Sequence, residues 1–258
     1  IGTPLKEWDV NIYRGILTGY NEAFIINQET RDKLVGASSK NAEIIRPILL
    51  GKNIKRYKYD WNKLWIIFTR RGVQIDDYPA VKEDLLKYYE ELKPRNNNEL
   101  TGRKPGSYEW FHIQDNVAYY EDFEKPKIVW GNLALHSQFS IVDTGYYINA
   151  PSAFIATDNY YLLAVLNSKV ADYYIKQLGV SRSGGYFEYK PMFVEKLPIP
   201  VITSDLEEKF KTIVLEITEF KKNNQNTDVL EIKVDQMVNK LFHLLPDEIE
   251  IIENSFKA

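Results

Sequence analysis

The chain has 258 residues, 44% of them hydrophobic and 27% charged, with a formal net charge of −3 and no cysteine. That length and balance belong to a folded globular protein of one large domain or two modest ones, in which disulfides and thiolate metal sites are excluded. No run approaches the about eighteen apolar residues of a membrane helix, and no basic-apolar-small leader marks secretion, so the expected setting is a reducing cytoplasm without a membrane partner.

The chain opens Ile1-Gly2-Thr3-Pro4 without an initiator methionine, as a piece of a longer polypeptide or a processed N-terminus does. Gly15 and Gly19 flank Thr18 and predict a tight backbone turn between strands, with close approach to a phosphate as the alternative. Ala23-Phe24-Ile25-Ile26 reads as a strand. From Arg31 to Arg71 there are eleven Lys or Arg against Asp32, Glu43 and Asp60, the local excess expected of a basic binding face. A strand is expected at Leu64–Phe68, and Pro79 opens a helix with Val81, Leu85, Tyr88, Tyr89 and Leu92 on roughly one face.

Pro94 to Gly106 is polar, turn-rich and basic at its end, the composition of a long exposed loop on which binding residues concentrate. Strands follow at 127–130, 139–142 and 153–155, then a helix from Tyr160 to Leu178 that Gly179 stops. Asn167-Ser168-Lys169 falls inside that helix and is expected to pack or cap. Ser181-Arg182-Ser183-Gly184-Gly185 is a flexible, basic, hydroxyl-rich loop. Leu197-Pro198-Ile199-Pro200 reads as an extended linker, after which Ser204 and Glu207 form a capping-box pattern. Beyond it lie a helix with Leu206, Phe210, Ile213, Val214, Ile217 and Phe220 on one face, a break at 223–226, a second helix, and a short third starting at Pro246. The expected organisation is an α+β (mixed) domain over 1–200 and an acidic helical docking or spacer segment over 201–258, with seven Lys against twelve acids.

An active site needs a constellation, and none assembles. His112, His136 and His243 lack metal-ligand spacing. Gly179 to Gly184 has the glycine spacing of a phosphate loop, but Gly185-Tyr186 replaces the required Lys-Ser/Thr, and no Gly-x-Gly-x-x-Gly occurs. Glu188-Tyr189-Lys190 and Glu231-Ile232-Lys233 carry an acid two residues before a lysine, a pattern of metal-dependent nucleases that chance also produces in a charged chain. No catalytic residue, metal or cofactor is therefore assigned to this chain.

Five segments in order carry a resemblance. They are Gly15-Ile-Leu-Thr-Gly-Tyr-Asn-Glu-Ala-Phe24, Ile45-Arg-Pro-Ile-Leu-Leu-Gly-Lys-Asn-Ile-Lys-Arg-Tyr57, Phe123-Glu-Lys-Pro-Lys-Ile-Val-Trp130, Leu162-Leu-Ala-Val-Leu-Asn-Ser-Lys169 and Leu197-Pro-Ile-Pro200. Together they resemble the TaqI-like C-terminal specificity domain, the target-recognition region of bacterial N6-adenine DNA methyltransferases and fused type II restriction–modification enzymes. The Leu-Asn-Ser stretch with its glycine loop is also similar to type I restriction specificity subunits. The resemblance implies double-stranded DNA as partner, and a methyltransferase domain upstream or in a partner subunit, with S-adenosylmethionine as that domain's cofactor. The Asn-Pro-Pro-Tyr/Phe motif of such a domain is absent, since the chain has no Pro-Pro.

On this reading Arg46, Lys52, Lys55 and Arg56 are the phosphate candidates, with Arg70 and Arg71 beside them. Arg103, Lys104, Tyr108 and Trp110 on the long loop, His136 and Gln138 in a turn, and Arg182 and Ser183 in the glycine loop are the base-edge candidates, Gln138 because an amide pairs bidentately with adenine. Gly15, Gly19, Gly184 and Gly185 are expected to shape backbone turns. A protein-interaction module using the 18 Tyr, 5 Trp and 12 Phe is the alternative, and a free-standing metal-dependent nuclease a more distant one.

Overall fold

The computed structural model describes every residue except Asn97, Asn98, Lys257 and Ala258. A short strand β1 (Thr3–Pro4) precedes β2 (Ile12–Arg14), helical turn α1 (Asn21–Phe24), β3 (Ile25–Ile26) and helix α2 (Gln28–Ala37). The expected strand at 23–26 is thus half helical. Four apolar residues fit a buried helical turn as well as a strand, and periodicity cannot separate the two. Next come β4 (Ile45–Leu49), the hairpin β5 (Ile54–Lys55) and β6 (Lys58–Tyr59), then β7 (Trp65–Ile67). Helix α3 (Pro79–Leu86) and turn α4 (Tyr89–Leu92) replace the single helix expected from Pro79, and their Val81, Leu85 and Leu92 are fully buried.

Strands β8 (Lys127–Trp130), β9 (Leu133–Ala134), β10 (Phe139–Val142), β11 (Tyr147–Ile148) and β12 (Ala153–Ile155) lead to helices α5 (Tyr160–Asn167) and α6 (Lys169–Leu178). The expected helix over 160–178 breaks at Ser168, whose ψ of 155° leaves the helical region while its side chain accepts from the Ala171 amide and caps α6. Asn167 turns aside to close the edge of β10: its amide both donates to and accepts from the Phe139 backbone at 3.0 Å. Of this trio Ser168 caps, Asn167 packs against β10, and Lys169 pairs with Glu253 at 2.6 Å. Strand β13 (Phe187–Glu188), turn α7 (Pro191–Val194) and β14 (Pro198–Ile199) follow, then helices α8 (Ser204–Lys222), α9 (Asp228–Leu241) and α10 (Pro246–Asn254). Ser204 is not a cap: Thr203 holds that position, and Glu207 accepts instead from the Asn159 amide at 3.2 Å.

A central antiparallel sheet runs β10-β8-β12-β2 and a second sheet runs β11-β4-β7-β3, with β11 parallel to β4. The central sheet is buried on both faces, which is why β8 and β12 read as unbroken apolar runs. Ile128, Trp130, Ala153 and Ile155 face one core, which α5, α6, α8 and α9 complete. Val129, Val142 and Phe154 face the other, shared with the second sheet, α2 and α3.

This arrangement corrects the expected boundary at Pro200. The helices beyond it do not form a separate spacer. Phe210, Ile213, Val214 and Ile217 of α8, at i, i+3, i+4 and i+7, together with Val234 and Val238 of α9, seal the first core against α5. Among the described residues no helix is long and apolar enough to cross a membrane.

Candidate nucleic-acid interface

Two adjoining concavities open where the central sheet meets the ribbon of β9 paired with β13. One, of about 400 Å³, is lined by Lys52, Lys55, Asn132, Gln138, Ser152 and Tyr186, among others. Its neighbour, about 510 Å³, shares Asn132 and Pro151 with it and adds Arg14, Lys190 and Met192. Lys52 follows β4 and Lys55 ends β5. Both are exposed, and neither is in an ion pair among the described residues. Between them and the ribbon the floor is made of Gly51 and Gly131. A Cβ on Gly51 would come within 3.0 Å of the Ser152 hydroxyl.

The ribbon tip is closed by the Arg182 amide donating to the Tyr186 carbonyl at 2.7 Å. Gly184 and Gly185 both hold φ of +78°, a region that favours glycine, so the expected turn role fits their conformation. Arg182 is half-exposed, and its guanidinium is held by Glu188 (Nε to Oε1, 2.8 Å). Hydrogen bonds from Lys190 and Arg182 hold the Glu188 carboxyl below its usual range. Ser183 is exposed beside it.

The remaining predicted residues divide between a second cleft and the scaffold. Arg46 and Arg70 line a separate concavity of about 540 Å³ together with Glu43, Asp77, Glu121 and Glu124. Arg70 stacks over Tyr120 at 4.0 Å, and Arg46 lies 3.9 Å from Glu124, so this cleft is acidic on balance and a poor phosphate track. Lys104 is exposed, away from either cleft lining.

Several expectations are corrected outright. Arg56 does not face solvent phosphates: its guanidinium binds Glu231 of α9 and the Asn167 carbonyl. Arg71 donates to the carbonyls of Ile113, Gln114 and Asp115, the last two at 2.8 and 2.6 Å.

Arg103 is 4% exposed and donates to the carbonyls of Leu92, Thr18, His112 and Trp110 at 2.7–2.9 Å, with its pKa pulled down to about 10 by burial. The stretch 94–106 therefore folds back around its own arginine, with Asn97 and Asn98 outside the described residues. Tyr108 lies buried under that guanidinium at 4.6 Å, and Trp110 packs edge-on to Tyr89. A buried guanidinium with every donor engaged cannot read a base.

His136 is exposed but turned to α6, 3.5 Å from Asp172 and 3.0 Å from Lys176, and stacks on Phe256. Gly15 is not in a turn: a Cβ there would fall 2.5 Å from the Asn149 backbone, so it permits two backbones to touch, whereas Gly19 does turn, with φ of +84°.

Sequence reasoning did not single out Arg14, Asn132, Leu133, Leu135 and Ser152, and met Tyr186 only as a departure from a phosphate loop and Lys190 only in a nuclease-like triplet. Among the described residues no group of three or more His, Asp or Glu is placed to hold a metal ion.

The family model described as the TaqI-like C-terminal specificity domain matches residues 46–199. Among curated proteins, the Type II methyltransferase M.MjaIV of Methanocaldococcus jannaschii is 25% identical over 235 residues, which covers 87% of this chain and 76% of that protein. Among solved structures, the Type IIL restriction-modification enzyme MmeI in complex with DNA superposes with a TM-score of 0.70 at 12% identity over 98% of this chain and 35% of that one. The type IIG restriction endonuclease BpuSI gives 0.52 at 13% identity, over 96% of this chain and 32% of that one. The chain thus spans about a third of each of these two enzymes.

Proposed function

Because the chain belongs to the TaqI-like C-terminal specificity domain family, we propose that it is the DNA target-recognition module of a site-specific adenine methyltransferase or restriction–modification enzyme. The module grips duplex DNA and selects the sequence presented to a catalytic domain carried upstream or on a partner subunit in the cytoplasm. That domain binds S-adenosylmethionine and extrudes the target base, a step that costs a few kcal/mol and needs the duplex held in register from its other side. Whether a nuclease accompanies it is a property of the rest of the enzyme.

One observation carries the reading at the level of residues. Lys52 and Lys55, in no ion pair among the described residues, line one cleft together with Gln138 and with Tyr186 of the glycine-tipped ribbon. Phosphate contacts position a protein on DNA and base-edge contacts specify, and on this reading the lysines do the first and the Gln138 amide the second.

The test is a binding titration on duplex and single-stranded DNA at several salt concentrations. Lys52→Ala/Lys55→Ala lowers the slope of log affinity against log salt by about 1.8, two contacts at about 0.9 each, and weakens binding to all sequences alike. An unchanged slope and affinity in that variant contradicts the placement of the phosphate track. Equal binding of single strands contradicts duplex recognition.

A further inference from the structure

The ribbon of β9 and β13 lines the cleft with side chains that the fold itself does not use. Leu133 and Leu135 alternate outward around the buried Ala134 and are 51% and 44% exposed, and Tyr186 at the ribbon tip is 42% exposed. Such a strip is unfavourable in water unless an apolar group covers it. The same cleft is lined by two amides, Gln138 and Asn132, the latter with a side-chain oxygen shut off from solvent and without a partner among the described residues. Beneath them Ser152, 1% exposed, also has an unpartnered hydroxyl. Polar atoms buried without partners are costly.

One ligand edge answers the exposed leucines and the accessible amide of Gln138. In the major groove an A·T pair offers an apolar thymine methyl and, on adenine, the acceptor–donor pair that an Asn or Gln amide meets with two hydrogen bonds. A G·C pair has no methyl, and its guanine edge suits an arginine, whereas the arginine of this ribbon is held by Glu188. A two-stranded ribbon also fits the groove, which is about 12 Å wide. Resting on the DNA-recognition reading above, we infer that the β9–β13 ribbon enters the major groove and reads an A·T pair, with Leu133 and Leu135 against the thymine methyl and the Gln138 amide facing the adenine.

The experiment selects bound duplexes from a random-sequence pool with the unaltered chain. The selected duplex is then remade with deoxyuridine for each thymidine in turn, which removes the methyl alone, and with 7-deaza-deoxyadenosine for each deoxyadenosine. One deoxyuridine position weakens binding about fourfold, the equivalent of one buried methyl group, and the adenosine opposite it is sensitive to loss of N7. The deoxyuridine effect vanishes in Leu133→Ala/Leu135→Ala, whose circular dichroism matches the parent. An enriched site without thymidine, or one indifferent to every deoxyuridine, overturns the inference and leaves DNA recognition standing, as does a folded variant that keeps the full sensitivity. The scan on the unaltered chain decides the matter even if the variant fails to fold. A pool without enrichment removes the premise, and the inference falls with it.

Discussion

Arg56 separates what charge patterning expects from what the fold does. Its guanidinium ties the β5–β6 hairpin to α9 through Glu231 and to the end of α5 through the Asn167 carbonyl. Replacing Arg56 with Met leaves Glu231 its other partners, Lys221 at 2.8 Å and Thr227 at 2.6 Å, so the loss is that of charge-assisted bonds, about 2–3 kcal/mol. Glu231→Gln costs more, about 3–4 kcal/mol, because it leaves a mostly enclosed cation without its counter-charge, and the residual 26% exposure of the arginine keeps the figure below that of a fully buried pair. At roughly 2–4 °C per kcal/mol for a chain of this size, Arg56→Met lowers the melting temperature by about 4–12 °C. Calorimetry measures that shift, and DNA titrations on the same variant, below its melting point, measure the salt slope. If Arg56→Met melts with the parent while the slope falls by about 0.9, the arginine is a phosphate ligand and the latch is wrong.

Ending the chain at Pro200 removes Phe210, Ile213, Val214, Ile217, Val234 and Val238 from the first core. Six buried apolar side chains at roughly 1.5–3 kcal/mol each exceed the net stability of a typical domain, about 5–15 kcal/mol, so near-ultraviolet dichroism and cooperative melting are lost; a cooperative melt in the truncated chain counts against the shared core. Lys127, fully buried in β8, has its pKa pushed down to about 8 by burial. Between pH 8 and its free value near 10.5 the unfolded chain holds more protons, so this group raises stability with pH across that window. Lys127→Met is therefore more stable than the parent at pH 7 by up to a few kcal/mol, and urea titrations show the gap closing towards pH 10.5. Gly15→Ala drives a Cβ to 2.5 Å from the Asn149 backbone and destabilises by several kcal/mol, whereas Gly36→Ala in α2, with nothing within 4 Å, stabilises by up to about 1 kcal/mol; thermal melts of the pair carry the contrast.

The strands 127–130, 139–142 and 153–155 were legible to the residue because a sheet buried on both faces leaves short, mainly apolar runs rich in β-branched and aromatic residues, a signal that the half-helical run 23–26 also carries. The helix break at Ser168 was not, since leucine-rich periodicity runs through it and the reason to break is the β10 backbone that Asn167 bonds. Charge was half legible. Counting lysines and arginines found the basic stretch, but only contacts from 42 to 175 positions away show that Arg71 and Arg56 serve the fold while Lys52 and Lys55 face the cleft. The ribbon leucines were invisible, because an exposed leucine in a short strand reads as core.

The sealing of the first core by α8 and α9 also sets an order of events during synthesis. The central sheet and α5 are complete in sequence by residue 167, yet one side of them stays bare until Val238 has been made. A nascent chain therefore passes through a stage in which Trp130, Tyr161 and Leu162 lack the helices that cover them, with the hairpin of Arg56 awaiting a carboxylate 175 residues later. Contacts this distant make for slow folding and a sticky intermediate. Translation stalled between Pro200 and Val238 leaves a chain that holdase chaperones bind, and release past α9 is the step that frees it.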